Sequence, residues 1–299
     1  MAKTEENWPL VGFTALSPIA IGGLTGLLAV RGTPRIGLDW SAIALLGVAL
    51  LALVASSLHL GRPLRAYRAM ARLSTSWLSR EVVLFAVFVL LLTAYALPVH
   101  TNGWDVNRGL LGLLATIVGI LSLWATGEVY RLPSHPAWNS WRTIASLVLG
   151  ALGPGLLLGF FVGRLGGPGG GADGLALGTA AAALLLGAAI SWLRSRRPAE
   201  ENTEEFAAWQ VVIGPCRWLL TLRIVGALFA LGLVLAGGWL SMIAWIPAVI
   251  GEIADRTLFF RAVVPVSMAR RAGVLPFEPV PVVRAPISRF PGSRGGSRD

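Results

Sequence analysis

The sequence predicts an all-α integral membrane protein: a bundle of eight transmembrane helices with both termini on the same side. Three observations support this fold class. Hydrophobic residues make up 55% of the 299 residues and charged residues 13%, whereas about a quarter of a typical soluble domain is charged. The mean hydropathy is +0.70. Apolar runs long enough to cross a hydrocarbon core of about 30 Å recur along the chain.

A helix rises about 1.5 Å per residue, so a transmembrane span needs about 20 mainly apolar residues. By this measure the spans are 9–30, 39–60, 81–98, 109–130, 143–163, 175–193, 218–238 and 240–262. A tight turn at Gly237 and Gly238 separates the last two spans. The N-terminal segment carries Glu5 and Glu6 and lacks a basic run followed by a small-residue cleavage site. We therefore expect the first span to be retained.

Small residues are frequent within the spans, as in 21–24 and 179–183. They let helix backbones approach closely, so they predict a compact bundle. Pro154, flanked by Gly153 and Gly155, removes a backbone donor in the middle of span five. This predicts a kink or a break there, with the freed carbonyl bonded elsewhere in the protein or to water.

The net charge of +10 comes from 25 basic and 15 acidic residues. In so apolar a chain this excess indicates basic membrane edges and excludes nucleic-acid binding. The predicted side of the termini holds Lys3, Arg62, Arg65, Arg68, Arg72, Arg80, Arg131, Arg142, Arg194, Arg196, Arg197 and Arg217, and the opposite side holds Arg31, Arg35, Arg108 and Arg164. The positive-inside rule then places the termini and the 61–80 loop in the cytoplasm, but an acidic partner would require the same basic face.

Two regions follow from this pattern. Residues 1–264 form the predicted transmembrane anchor domain. Residues 265–299 are rich in Arg, Pro and Gly, so we expect a tail that is disordered or bound along a partner. Such a tail also suits an anionic lipid surface.

Ionisable residues at the edge of a span are costly and therefore informative, and one dense cluster lies between spans two and three. His59 closes span two and Glu81 opens span three, so the 61–80 loop returns the chain to the same membrane face. An imidazole that titrates near neutrality, beside arginines and a carboxylate, suits proton exchange with a bound ligand. The alternative is that the arginines anchor lipid head groups while His59 caps a helix end.

Further ionisable residues lie in later spans. Glu128 and Arg131 end span four. Glu252 and Arg256 are four apart in span eight, a spacing that predicts an ion pair within the bundle. Arg223 lies about one turn inside span seven, where it either reaches the interface or meets an inner carboxylate.

The inventory of ligands argues against a resident metal or cofactor. The chain has three histidines, His59, His100 and His135, whereas a stacked pair of haems needs about four axial ligands. The one cysteine, Cys216, cannot hold an iron–sulfur cluster. No ligand spacing for a catalytic metal occurs. We therefore expect no haem, no iron–sulfur cluster, no molybdenum and no other metal in this chain.

A set of local motifs is specific enough to indicate a family. The most specific is the Ser-x-x-His-Leu-Gly-x-Pro-x-Arg-Ala run at 56–66, with Glu81 placed 22 positions after its histidine. Weaker marks are residues 8–10, 78–81, 129–131, 136–138, 153–154 and 251–260. The chain resembles the eight-helix membrane anchor subunit of dimethyl sulfoxide reductase, within the wider polysulfide-reductase-type anchors.

The resemblance implies a function and a site. The chain would lie in the cell inner membrane, bind a four-cluster ferredoxin-like iron–sulfur subunit and a molybdopterin catalytic subunit, and oxidise menaquinol for them. His59 would be the quinol ligand and proton acceptor, Gly61 and Arg65 would shape the pocket, and Glu81 would bind quinol or release protons. Arg62 joins this pocket, although it replaces a residue that is small and polar in some relatives. The implied secondary residues are Arg68, Trp77, Ser79, Glu128 and Arg131, and the implied docking residues are Arg62, Arg65, Arg68, Arg72 and Arg80.

Two other functions are compatible with the sequence. A small-solute or ion transporter would show inverted repeats with interrupted helices at matching positions, but the Gly-Pro-Gly of 153–155 has no counterpart in the first four spans. The other is a structural anchor whose quinone site is degenerate. The terminal substrate, the quinone type and the direction of electron flow do not follow from these residues.

Overall fold

The computed structural model describes residues 8–31, 39–58, 72–97, 100–101, 104–105, 107–132, 135, 137–165, 173–199 and 203–262. Within these ranges every element longer than two residues is helical. The helices are α1 Trp8–Arg31, α2 Trp40–Leu58, α3 Trp77–Ala96, α4 Arg108–Tyr130, α5 Trp141–Gly150, α6 Leu156–Leu165, α7 Asp173–Arg194, α8 Glu204–Ile213, α9 Arg217–Ala236, α10 Gly238–Ile243 and α11 Trp245–Arg261. Two short strands, β1 His100–Thr101 and β2 Trp104–Asp105, pair between α3 and α4.

Seven helical segments are long and apolar enough to cross a membrane: α1, α2, α3, α4, α5 with α6, α7 and α9. They match the first seven predicted spans, so the chain is a multi-pass membrane protein. The eighth predicted span corresponds to α10 and α11, which follow the turn at Gly237 and Gly238, both at positive φ. Helix α11 has 17 residues, four of them charged, and falls outside this class. The eight-span topology with both termini on one side stays a prediction.

Successive spans alternate in direction, so their ends form two faces of the bundle. The Trp77 end comprises the helix ends at Leu58, Trp77, Tyr130, Trp141, Arg194 and Arg217, and the Ala96 end comprises Trp40, Ala96, Arg108, Leu165, Asp173 and Ala236. Contacts across the bundle support this pairing. At the Ala96 end the Arg108 guanidinium donates to the Tyr95 carbonyl, with its Nε 3.0 Å away.

Glycines set the closest helix contacts, as the frequency of small residues predicted. Helix α1 is the most buried of the seven spans and packs on α2, α6 and the segment that precedes α6. A Cβ on Gly26 would lie 2.6 Å from the Leu156 carbonyl oxygen, and one on Gly155 would lie 2.8 Å from the Gly22 Cα. Backbone therefore meets backbone at this crossing.

The irregularity predicted at Pro154 is a π-helical turn and not a break. Residues Ala151–Gly155 form this turn between α5 and α6, and the whole segment runs through Trp141–Leu165. Proline cannot donate to the helical ladder, and a π turn is a common way for a helix to absorb such a defect. The turn is buried against α1, α7 and α11.

Besides shifts of one or two residues at span ends, the start of α3 and the presence of α8 differ from the sequence prediction. Helix α3 begins at Trp77 and not at 81, because the Ser76 hydroxyl caps it by accepting from the Ser79 backbone N–H at 3.3 Å. Residues 77–80, predicted as loop, are therefore helical. Helix α8 was not predicted, because its 10 residues are too few to register as a span; Thr203 caps it by accepting from the Phe206 N–H.

Gly26→Ala tests the close crossing of α1 and α6. The added methyl group would meet the Leu156 carbonyl, so we expect the free energy of unfolding to fall by about 1–3 kcal/mol. Gly178→Ala is the matched control, because a Cβ there meets nothing within 4 Å. It should be neutral or stabilising by up to about 1 kcal/mol. Thermal unfolding in mild detergent measures both, and an equal response of the two variants would contradict the crossing.

Candidate functional site

The described part of the predicted site lies at the Trp77 end of the bundle. His59, Gly61, Arg62, Arg65 and Arg68 fall outside the described residues. The described members are Arg72, Trp77, Ser79, Arg80, Glu81, Glu128 and Arg131. Helix α2 ends at Leu58, directly before His59, and α3 begins four residues before Glu81. The two elements that flank the predicted loop therefore end at the same face.

Glu81 is a deeply buried carboxyl group with a neutral hydrogen-bond partner. The residue is 5% exposed, although it lies only about one turn into α3. The Thr126 hydroxyl on α4 donates to Glu81 Oε1 at 2.8 Å. Among the described residues no guanidinium lies within ion-pair distance of this carboxylate. A buried carboxylate without a cation is costly, so its hydrogen bond matters more than it would at the surface.

The Thr126 hydroxyl can serve both protonation states of Glu81. Its oxygen also lies 3.0 Å from the Ser122 carbonyl oxygen, and a hydroxyl has one proton to donate. When Glu81 is ionised, Thr126 donates to the carboxylate. When Glu81 is protonated, its own O–H can donate to the Thr126 oxygen while the Thr126 proton turns to the Ser122 carbonyl. The hydrogen bond between Thr126 and Glu81 Oε1 can thus be kept in either state, which suits a carboxyl group that gains and loses protons.

The Arg80 side chain is hydrogen-bonded to the turn that precedes α3. Its Nε donates to the Leu73 carbonyl at 2.8 Å and its Nη2 to the Ser74 carbonyl at 2.7 Å. The guanidinium carbon lies 4.2 Å from the centre of the Trp77 ring. These contacts are all within the local chain segment. Arg72 is exposed, and docking by either arginine stays a prediction.

Glu128 contacts a different set of side chains from those around Glu81. Its Oε1 accepts from Trp124 Nε1 at 3.2 Å and from Arg131 Nη1 at 2.8 Å. The Trp124 ring in turn lies 6.2 Å from the Trp77 ring. This pair is partly exposed, with 16% of the Glu128 side chain and 37% of the Arg131 side chain accessible, and a local pair near the surface contributes about 0–1 kcal/mol. Ser79, by contrast, is buried on the same helix as Glu81.

Aromatic rings join the segment after α4 to the end of α11. The Trp138 ring stacks on Phe259 with centroids 5.1 Å apart, and its Nε1 donates to the Phe259 carbonyl at 3.1 Å. Tyr130 meets the edges or faces of both rings, and His135 stacks on Trp138 at 5.3 Å. The sequence placed these residues in separate segments and gave no signal that they meet.

A network of buried charges holds α5, α7, α9 and α11 together. Arg256 Nη2 lies 2.7 Å from Glu252 Oε1, which confirms the predicted ion pair. The same nitrogen donates to the Ser146 carbonyl of α5 at 2.7 Å. Arg223 Nη1 of α9 lies 3.1 Å from the other oxygen of Glu252, although the pair is not aligned as a hydrogen bond. Of the two roles open to Arg223, the structure therefore shows the inner carboxylate.

The network continues through a carboxylate that the sequence patterns did not single out. Asp255 Oδ1 accepts from the Ser191 hydroxyl at 2.7 Å and lies 3.4 Å from Arg194 Nη1. Asp255 is 1% exposed. Three guanidinium groups, those of Arg194, Arg223 and Arg256, thus face two carboxylates.

Glycines leave room for these long side chains. A Cβ on Gly150 would lie 2.6 Å from Glu252 Oε1, and one on Gly187 would meet Arg223 Nη2. Each carboxylate of the network faces guanidinium groups from other helices, an arrangement suited to positioning those helices. Within the described ranges no group of three His, Cys, Asp or Glu side chains is placed to hold a metal ion.

Comparison with known protein families decides the identity of the chain. Residues 1–261 match the family described as DMSO reductase anchor subunit (DmsC). The chain belongs to this family. The resemblance inferred from the 56–66 motif and its glutamate is thereby confirmed.

Individual relatives agree with membership of the anchor-subunit family. An anaerobic dimethyl sulfoxide reductase chain of Escherichia coli is 27% identical over 298 residues, covering 90% of this protein and 99% of the relative. The chain of the same name in Haemophilus influenzae is 31% identical over 154 residues, covering 48% and 55%. A sulfite dehydrogenase subunit of Allochromatium vinosum is 34% identical over 139 residues, covering 40% and 42%. The last two alignments span about half of each relative's length.

Glu252→Gln tests whether the buried network stabilises the anchor subunit. The change leaves Arg223 and Arg256 without their carboxylate, so we expect a loss of about 3–5 kcal/mol in the free energy of unfolding. Glu128→Gln removes a partly exposed carboxylate from a local pair near the protein surface and should cost no more than about 1 kcal/mol. Thermal unfolding in detergent compares the two. Equal losses would mean that the network carries no special share of the stability.

Proposed function

We propose that this anchor subunit is the membrane anchor and quinol-oxidising subunit of a molybdopterin oxidoreductase complex of the DMSO reductase type. In this proposal it lies in the inner membrane, binds menaquinol, and passes electrons to an iron–sulfur partner subunit without a haem of its own. The observation that carries it is the buried Glu81–Thr126 pair at the Trp77 end, the end of the bundle at which α2 also ends.

The chemistry requires proton acceptors next to the electron donor. Oxidation of a quinol to a quinone releases two electrons and two protons. We assign the first proton to the His59 imidazole, since this group titrates near neutrality. Glu81 is then the acceptor of the second proton, because its hydrogen bond with Thr126 can be kept in both protonation states. The electrons leave to the partner subunit.

Distribution of charge supports docking of the partner at the Trp77 end. The described basic residues outside the buried network concentrate there: Arg72, Arg80, Arg131, Arg142, Arg196, Arg197 and Arg217, against Arg108 and Arg164 at the Ala96 end. A basic surface would attract an acidic iron–sulfur subunit and orient it. Arg62, Arg65 and Arg68 would extend the same surface. A quinol bound by His59, Gly61, Arg62 and Arg65 would then lie close to the partner's nearest cluster.

His59→Ala tests the quinol site. We expect quinol-dependent reduction of the terminal acceptor to be lost, while the complex still assembles and an artificial electron donor still reduces the acceptor. The rate of quinol-dependent reduction should fall about a hundredfold or more, as expected for removal of a positioned general base. The complex is purified through a tag on this chain, and its subunits and both activities are measured. Loss of assembly together with both activities would show that His59 is structural.

Thr126→Val tests the hydroxyl that serves Glu81. The change removes one hydrogen bond at nearly constant volume, so we expect quinol-dependent turnover to fall about five- to tenfold. Thr126→Ser keeps the hydroxyl and should restore most of the rate, whereas Glu81→Gln should lose about a hundredfold or more. Thr221→Val is the control, because that exposed hydroxyl bonds only its own helix. A Thr126→Val complex with normal turnover would contradict the assignment.

A further inference from the structure

A cavity of about 710 Å³ lies at the Ala96 end of the bundle, opposite the proposed quinol site. It is lined by the end of α6, the start of α7 and helix α10. Among its described lining residues, Arg164 and Asp173 carry the charges, and Phe160 and Leu177 form part of an apolar wall. The cavity therefore offers one cation and one anion beside a hydrocarbon surface.

The Asp173 carboxylate has few partners of its own. Its Oδ2 lies 3.5 Å from Arg164 Nη1, whereas a good charge-assisted hydrogen bond of this type measures about 2.7–2.9 Å. Its Oδ1 has no hydrogen-bond partner among the described residues. The side chain is 29% exposed, so a donor in the cavity can still reach the carboxylate. Because an ionised carboxylate offers about four lone-pair sites, this one has capacity for further donors.

Ser241 and Arg164 add an acceptor and several donors to the same cavity. The Ser241 hydroxyl donates its one proton to the Gly238 carbonyl at 2.7 Å, so its oxygen is left as an acceptor. Ser241 is buried and lines the cavity, which fixes the position of this acceptor. Arg164 has five N–H donors, and in the described part of the chain its ion pair is the loose one with Asp173. Its remaining donors can serve an anion.

The depth of the cavity identifies the source of its occupant. It lies where the span Trp141–Leu165 ends and the span Asp173–Arg194 begins. Trp239, which also lines it, is 72% exposed. Tryptophans at span ends mark the interface between hydrocarbon and head groups. The cavity is therefore at the level of the lipid head groups.

We propose that this cavity binds the head group of a phospholipid that carries both a phosphate and a primary ammonium group, as phosphatidylethanolamine does. The phosphate accepts from the Arg164 guanidinium, which can donate two parallel hydrogen bonds. The ammonium group donates its three N–H bonds towards Asp173 and Ser241. The apolar wall receives the first carbons of the acyl chains. The volume is within the range of about 300–1,000 Å³ that small-molecule sites occupy.

The test uses the full-length protein, purified with the subunits that accompany it and then delipidated. Asp173→Asn and Arg164→Gln are the two site variants. Glu205→Gln is the matched control, since this exposed carboxylate does not line the cavity. Phosphatidylethanolamine, phosphatidylcholine or phosphatidylglycerol is added to each protein. Mass spectrometry counts the retained lipid, and thermal unfolding reports its effect on stability.

We expect the wild type and Glu205→Gln to retain phosphatidylethanolamine about tenfold better than phosphatidylcholine, whose methylated ammonium group has no N–H to donate. Asp173→Asn should remove this preference, because it loses the charged acceptor, while its retention of phosphatidylglycerol stays the same or rises. Arg164→Gln should weaken the retention of both phosphatidylethanolamine and phosphatidylglycerol, since both carry a phosphate. A residue that only held the helices together would affect all three lipids alike.

Four outcomes would overturn the proposal. Normal retention of phosphatidylethanolamine by Asp173→Asn would show that the carboxylate is not a ligand. Equal retention of phosphatidylethanolamine and phosphatidylcholine by the wild type would show that the ammonium N–H groups are not recognised. Equal losses in Glu205→Gln would show a general effect of surface charge. Equal stabilisation by soluble phosphoethanolamine would show a site for a free solute.

Discussion

The packing of α5, α9 and α11 depends on the carboxylate of Glu252. It reaches the Arg256 side chain on its own helix and Arg223 on α9, and Arg256 continues to Ser146 on α5. No water competes for such groups inside a bilayer, so each must find its partners within the protein. Gly150 and Gly187 are small because these side chains occupy the space beside them. The positions of four helices follow from this one requirement.

The buried carboxyl groups divide into two chemical kinds. Glu252 and Asp255 face guanidinium groups, and a carboxylate paired with buried cations is a poor candidate for proton exchange. Glu81 faces a hydroxyl group whose own proton can turn either way. The first kind fixes the scaffold, and the second kind is where chemistry can take place. Burial alone would not have distinguished them; the charge of the partner does.

Much of the fold could be predicted because bilayer thickness sets a minimum length for each apolar run. The spacing of Glu252 and Arg256 also predicted their ion pair, since neighbours on one helix face do not depend on tertiary packing. The parts that join separate helices were not predictable: Thr126 beside Glu81, Ser191 beside Asp255, and the rings around Trp138. Contacts between different helices depend on the rotation of each helix about its axis, and this rotation cannot be predicted from composition. The roles of His59 and Gly61 stay predictions, because both residues lie outside the described ranges.

The π turn at Ala151–Gly155 fixes the angular relation between two faces of one span. A π turn accommodates one residue more than an α-helical turn, and one residue corresponds to about 100° of rotation. Ser146 of α5 can therefore face Arg256 while Gly159 of α6 faces the backbone of α1. Deleting a single residue here would swing one face away from its partner. The number of residues in this span is therefore constrained as strictly as the identity of any side chain in it. A related protein that lacks one residue here would need a different packing of its core.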